Sequence, residues 1–137
     1  SSFRIMKERY RIMKVIATEK APAAIGPYSQ GIVAGDFFFA SGQIAIIPET
    51  GEIAEATIEA QTEQVMKNIG NLLAAAGVDY SKVVKTSCFL ADMGDFGAFN
   101  EIYAKYFTSK PARSCVAVKT LPKNVLCEVE VIAYLGE

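Results

Sequence analysis

With no histidine in the chain, Ser-His-Asp and Cys-His catalysis and most zinc sites are excluded at once. The chemistry left rests on carboxylates, cations and thiols, and the richest concentration lies near the C-terminus. In residues 112–119 (ARSCVAVK) strict alternation puts Arg113, Cys115 and Ala117 on one face of a strand. In residues 126–135 (LCEVEVIAYL) Cys127, Val129, Val131, Ala133 and Leu135 make an apolar face. Leu126, Glu128, Glu130, Ile132 and Tyr134 make the other. If the two segments form an antiparallel hairpin across residues 119–125, one register sets Cys115 opposite Glu128 and Arg113 opposite Glu130. Arg113 and Glu128 are then diagonal neighbours: a cation for an acid, and a carboxylate to move a proton. A cross-strand ion pair explains Arg113 equally well, and a solvated sheet face explains the two acids. Ile132 and Tyr134 share that face, however, which suits partial cover by another subunit.

Elsewhere the pattern mostly excludes. Cys88, Cys115 and Cys127 are odd in number and lack C-x-x-C spacing, so no disulfide framework or four-ligand metal site is expected. They read as reduced, buried thiols of a cytoplasmic protein. Gly26, Gly31 and Gly35 lack phosphate-loop spacing. Ser41-Gly42-Gln43, at a strand end, is a place where backbone N–H groups could hold an anion, although such tripeptides are common in turns. Fourteen Lys and Arg against fifteen Asp and Glu give a net charge of −1, without the cationic surplus that nucleic-acid binding needs. No apolar run is long enough to span a membrane. Residues 1–12 (SSFRIMKERYRI) carry four cations and no apolar core, so they are not a secretory signal. Met13 followed by KVIATEK reads as a natural start. Residues 1–12 are expected to be a flexible extension or cloning remnant, and residues 13–137 one domain.

The elements that must position these groups follow from periodicity. From Glu55 to Ala76, Ile58, Val65, Ile69, Leu72, Leu73 and Ala76 trace the stripe of a long amphipathic helix, with Gly77 as its stop. Residues 93–107 give a second helix with an aromatic stripe of Phe96, Phe99, Tyr103, Tyr106 and Phe107, read as core, behind Asp92 and Asp95 as caps. Residues 31–35 and 37–41 form a hairpin turning at Gly35-Asp36, and residues 82–90 (KVVKTSCFL) a β-branched strand. The fold class is α+β: a single mixed or antiparallel sheet with both helices on one face. A hydrophobic share of 51% hints at surface hidden in an oligomer.

Residues 21–30 (APAAIGPYSQ), 40–43 (ASGQ), 84–90 (VKTSCFL), 95–107 (DFGAFNEIYAKYF), 111–116 (PARSCV) and 121–133 (LPKNVLCEVEVIA) together resemble the RidA family, also called the YjgF family, of reactive enamine/imine intermediate deaminases. The resemblance implies a chorismate-mutase-like fold and a homotrimer whose sheets form a central barrel, with clefts between subunits. It implies cofactor-free hydrolysis of 2-aminoacrylate and related 2-imino acids to 2-keto acids and ammonia. Arg113 then clamps the substrate carboxylate and Glu128 positions the attacking water. Tyr28, Ser41, Gly42, Asn100 and Cys115 line the cleft, Cys115 through its backbone and shape. The short connection at residues 107–111 (FTSKP) is expected to reshape the rim beside Arg113. Two other readings stand beside this one: a non-catalytic regulator that senses a small carboxylic acid through the same cleft, and an endoribonuclease or stress-associated protein. Glu128 favours the enzyme over the sensor, and the absence of a basic stripe disfavours the ribonuclease.

Overall fold

The computed structural model describes residues 13–137, and the expectations for residues 1–12 lie outside the described residues. Six strands form one mixed sheet: β1 Met13–Ile16, β2 Gly31–Ala34, β3 Phe37–Ala40, β4 Val83–Leu90, β5 Ala112–Ala117 and β6 Cys127–Tyr134, in the order β1-β2-β3-β6-β4-β5. Two helices, α1 (Ile58–Ala75) and α2 (Phe96–Tyr106), cover one face.

Local chemistry sets the boundaries. The Thr57 hydroxyl accepts the Ala60 N–H at 3.1 Å, capping α1. Gly77, at φ +84°, ends it in the left-handed region. In the two-residue turn joining β2 to β3 only Gly35 has positive φ (+60°), the pattern of a type II′ hairpin turn. Val65, Met66, Ile69, Leu72 and Leu73 of α1 and Phe99 and Tyr103 of α2 pack onto Phe38, Thr86, Cys88, Leu90, Val129 and Val131 of the sheet. The alternation read in residues 126–135 holds: Cys127, Val129, Val131 and Ala133 are buried, while Glu128, Ile132 and Tyr134 are only half-buried on the other side. Among the described residues no helix covers that other face. It exposes Phe37 and Phe39 at 40% and 43%, and the Phe37 and Tyr134 rings meet there at 5.5 Å.

One expectation fails. β5 and β6 do not form a hairpin; β5 lies parallel to β4, and β6 is inserted between β3 and β4. The chain from β4 to β5 passes through α2, the length of crossover that parallel strands require. Side-chain burial explains which strand takes the centre. β6 has four residues able to lie under the helices, whereas no residue of β5 is fully buried, and a strand carrying Arg113 suits an edge. Arg113 is therefore opposite Thr86, and Cys115 opposite Cys88. Neither faces Glu130 or Glu128.

Candidate active site

Thr86 is buried beneath α2, so its partner Arg113 projects toward the helices as well. There its Nη1 donates to the Asn100 side-chain oxygen at 2.6 Å. Its guanidinium carbon lies 4.7 Å from the Tyr103 ring centroid and 5.3 Å from that of Phe96. Phe96, Asn100 and Tyr103 are successive residues on one face of α2, spaced four and three apart. Among the described residues Asn100 is the one polar side chain bonded to Arg113, and no carboxylate neutralises it. The result is a charged planar fork with most of its donors unspent, opening on a cleft of about 620 Å³ whose wall includes Tyr103, Phe107, Lys110 and Pro111. The short 107–111 connection forms the rim, with Lys110 held at φ +56°.

Glu128 belongs to the opposite face. Its partner across β4 is Phe89, out of phase with the buried Cys88 and Leu90. Two backbone hydrogen bonds, Gln43 N–H to Val129 O at 2.8 Å and Val129 N–H to Gln43 O at 3.1 Å, lay residues 41–43 beside the start of β6. The following segment is pinned by Asn68 of α1, whose amide donates to Ile44 O and Ile46 O at 3.1 and 3.0 Å. This brings Gly42 against the Glu128 carboxyl so closely that a Cβ on Gly42 would sit 2.2 Å from Oε2. Burial, reinforced by neighbouring Glu130, raises the pKa of Glu128. Of the three N–H groups in Ser41-Gly42-Gln43, those of Ser41 and Gln43 are bonded to Gln30 O and Val129 O; that of Gly42 is unspent among the described residues. The Ser41 hydroxyl donates to Ser29 O at 2.6 Å. Tyr28, more than half exposed, completes a cleft of about 470 Å³ with Gly42, Glu128 and Lys123. Lys123 and Asn124 both hold positive φ (+57° and +54°), a local strain of the sort concentrated at binding sites.

The expected residues thus separate into two groups within one chain. Asn100, Arg113 and Cys115 lie with α2; Tyr28, Ser41, Gly42 and Glu128 lie across the sheet. The diagonal Arg113–Glu128 pairing is corrected, because β4 stands between their strands and the two side chains leave the sheet on opposite sides. Cys115 sits beside Cys88 with its thiol pKa raised by burial, against a smaller opposing effect of Arg113, which keeps it protonated and poorly nucleophilic. Sequence reasoning missed the aromatic platform of Arg113. Phe96 and Tyr103 read as core because they share the apolar stripe; the usable signal was Asn100 lying between them on that stripe.

With this geometry described, comparison with known proteins is decisive for kinship. The family model described as Endoribonuclease L-PSP, that of the RidA/YjgF proteins, matches residues 18–135. The chain belongs to this family. It is 55% identical over 123 residues to "Reactive Intermediate Deaminase A, chloroplastic" of Arabidopsis thaliana, covering 89% of this chain and 66% of that protein. It is 47% identical over 126 residues to the "2-iminobutanoate/2-iminopropanoate deaminase" of Mus musculus, covering 91% and 93%. The solved structure of E. coli TdcF with bound serine superposes with a TM-score of 0.84 at 42% identity, over 88% of this chain and 98% of that one. Among the described residues no helix is long and apolar enough to cross a membrane.

Proposed function

We propose that this RidA-family protein is a cofactor-free hydrolytic deaminase of small 2-imino and 2-enamino acids, acting as a homotrimer with shared clefts. The observation that carries it is the Arg113 guanidinium, held against Asn100 and two rings yet, among the described residues, paired with no acid. A cation presented in this way is suited to a carboxylate, through two parallel charge-assisted bonds. The separation of Arg113 from Glu128 across the sheet supports a site assembled from two copies, one supplying Arg113, Asn100 and Cys115, the next supplying Tyr28, Ser41, Gly42 and Glu128. The uncovered face with Phe37, Phe39 and Tyr134 supports the same assembly, since apolar surface of this kind is normally buried between subunits.

In the reaction, Arg113 fixes the substrate carboxylate and so the adjoining iminium carbon. Glu128 takes a proton from a water as its oxygen bonds to that carbon. Glu128 passes that proton to nitrogen in the tetrahedral adduct and takes the hydroxyl proton as the C–N bond breaks and the C=O bond forms. Handing this second proton to the departing ammonia releases ammonium and the 2-keto acid and restores the carboxylate. The raised pKa of Glu128 brings the carboxylate closer to the strength of a useful general base. The substrates are 2-iminobutanoate and 2-iminopropanoate or their enamine tautomers.

The test follows keto-acid release while a pyridoxal-phosphate dehydratase generates the imine in situ, with and without this protein. Acceleration that depends on both Arg113 and Glu128 supports the reading. Binding of 2-keto acids without acceleration would replace it by the sensor reading. In sedimentation, a single-chain mass of 14.8 kDa would remove the shared cleft.

A further inference from the structure

Among the described residues Arg113 has no counter-ion, so there the plane of its guanidinium is set by something other than an ion pair. Asn100 restrains one nitrogen, but a single hydrogen bond leaves rotation about its own axis free. The Tyr103 ring, with the guanidinium carbon 4.7 Å over its centroid against 5.3 Å for Phe96, supplies the closer aromatic constraint on the cation. That ring is itself fixed. It is only 6% exposed, packs against Phe107 with centroids 4.6 Å apart and the rings tilted by 38°, and its hydroxyl is hydrogen-bonded to Thr86 Oγ1 at 2.7 Å. Thr86 is the residue paired with Arg113 across β4 and β5. Backbone pairing, the hydroxyl contact and the cation–ring contact therefore close a loop that returns to the residue it positions. A ring attracts the cation without neutralising it, so the N–H edge keeps its full charge for a carboxylate.

We propose that Tyr103 is the positioning residue for carboxylate capture by Arg113, and that its bond to Thr86 sets the tilt of the platform. The inference rests on the acid-clamp role of Arg113 in the proposed function. Thr86 acts one step further back, through the ring.

Calorimetry on the intact protein with pyruvate and with its uncharged amide, pyruvamide, separates the possibilities. Tyr103→Leu is expected to weaken pyruvate binding by about 3- to 30-fold, the range of one cation–π contact, and to raise KM more than it lowers kcat. Pyruvamide binding is expected to be unchanged. Tyr103→Phe keeps the ring and loses the bond to Thr86, so it should weaken pyruvate binding by a smaller factor, about 2- to 3-fold, and again spare pyruvamide. Pyruvate affinity unchanged in this variant would overturn the role given to the Thr86 bond, and the variant is read even where the Leu variant folds poorly. In an Arg113→Gln background, neither Tyr103 change should weaken pyruvate binding further. Equal weakening of pyruvate and pyruvamide, or a full additional loss in the Arg113→Gln background, would overturn the proposal and leave Tyr103 as packing. Wild-type protein that binds pyruvate no better than pyruvamide would instead refute the Arg113 clamp itself.

Discussion

Gly42→Ala is the smallest change that separates the position of the Glu128 carboxylate from the stability of the fold. A Cβ at residue 42 would stand 2.2 Å from Glu128 Oε2 and 2.9 Å from its carboxyl carbon, whereas ordinary contact begins near 3.4 Å, so the carboxylate must retreat by about 1.2 Å. The colliding atoms are the far end of a flexible side chain, and Gly42 is not in the left-handed region. The backbone can therefore accept alanine, and stability should change by less than about 1 kcal/mol. Turnover should not be spared. A misplacement of about 1 Å at a group that positions a reactant costs on the order of a hundredfold, or about 2.7 kcal/mol in the barrier. The assay is keto-acid release in the dehydratase-coupled reaction, run beside thermal melting on the same preparation. Gly42→Ala should melt within a few degrees of wild type and lose about a hundredfold in kcat, while 2-keto acids still bind through Arg113. A kcat within about twofold of wild type, with melting unchanged, would refute the reasoning that Glu128 acts from its place over Gly42.

Further outcomes follow from the same geometry. Arg113→Ala should nearly abolish turnover, by about 2–5 kcal/mol of lost transition-state binding, and Arg113→Lys should rescue little because an ammonium cannot make the planar two-point contact; unchanged kcat/KM in either variant would contradict this. Because its raised pKa reflects burial and then Glu130, Glu128 should give an acidic limb in the pH–rate profile above the ordinary carboxylate range. Glu130→Gln should move that limb to lower pH. A group raised in this sense stabilises the fold most when protonated, so its contribution fades as pH rises through the raised value, which denaturation at several pH values can follow. Gly70→Ala should destabilise by about 1–3 kcal/mol despite the better helix propensity of alanine. Its Cβ would lie 2.3 Å from the Tyr80 hydroxyl oxygen, which is bonded to Met66 O at 2.6 Å, and urea unfolding measures the loss.

Much of this architecture was legible because burial imposes period. The α1 stripe, the Gly35-Asp36 turn and the alternation of residues 127–134 each report which side of an element meets the core, and each appears where expected. Strand partnership was not legible. Residues 112–117 and 127–134 are close in sequence, and proximity suggested a hairpin, but nothing local records that β6 buries better between β3 and β4. The chemistry of Arg113 and Glu128 could be read from residue type and from the family motifs. Their placement on opposite faces could not, since it depends on that strand order. Tyr103 was hidden for another reason: one ring serves both the core, against Phe99 and Phe107, and the cation.

The claim most exposed to test is that each reaction centre joins Arg113 of one copy to Glu128 of another. Arg113→Ala and Glu128→Gln should each be inactive alone. Unfolded together in equal amounts and refolded as mixed trimers, they should recover about one quarter of wild-type turnover, because that share of random neighbour pairs unites an intact Arg113 with an intact Glu128. Mixed trimers verified by mass, yet with no more activity than the separate variants, would contradict the shared site.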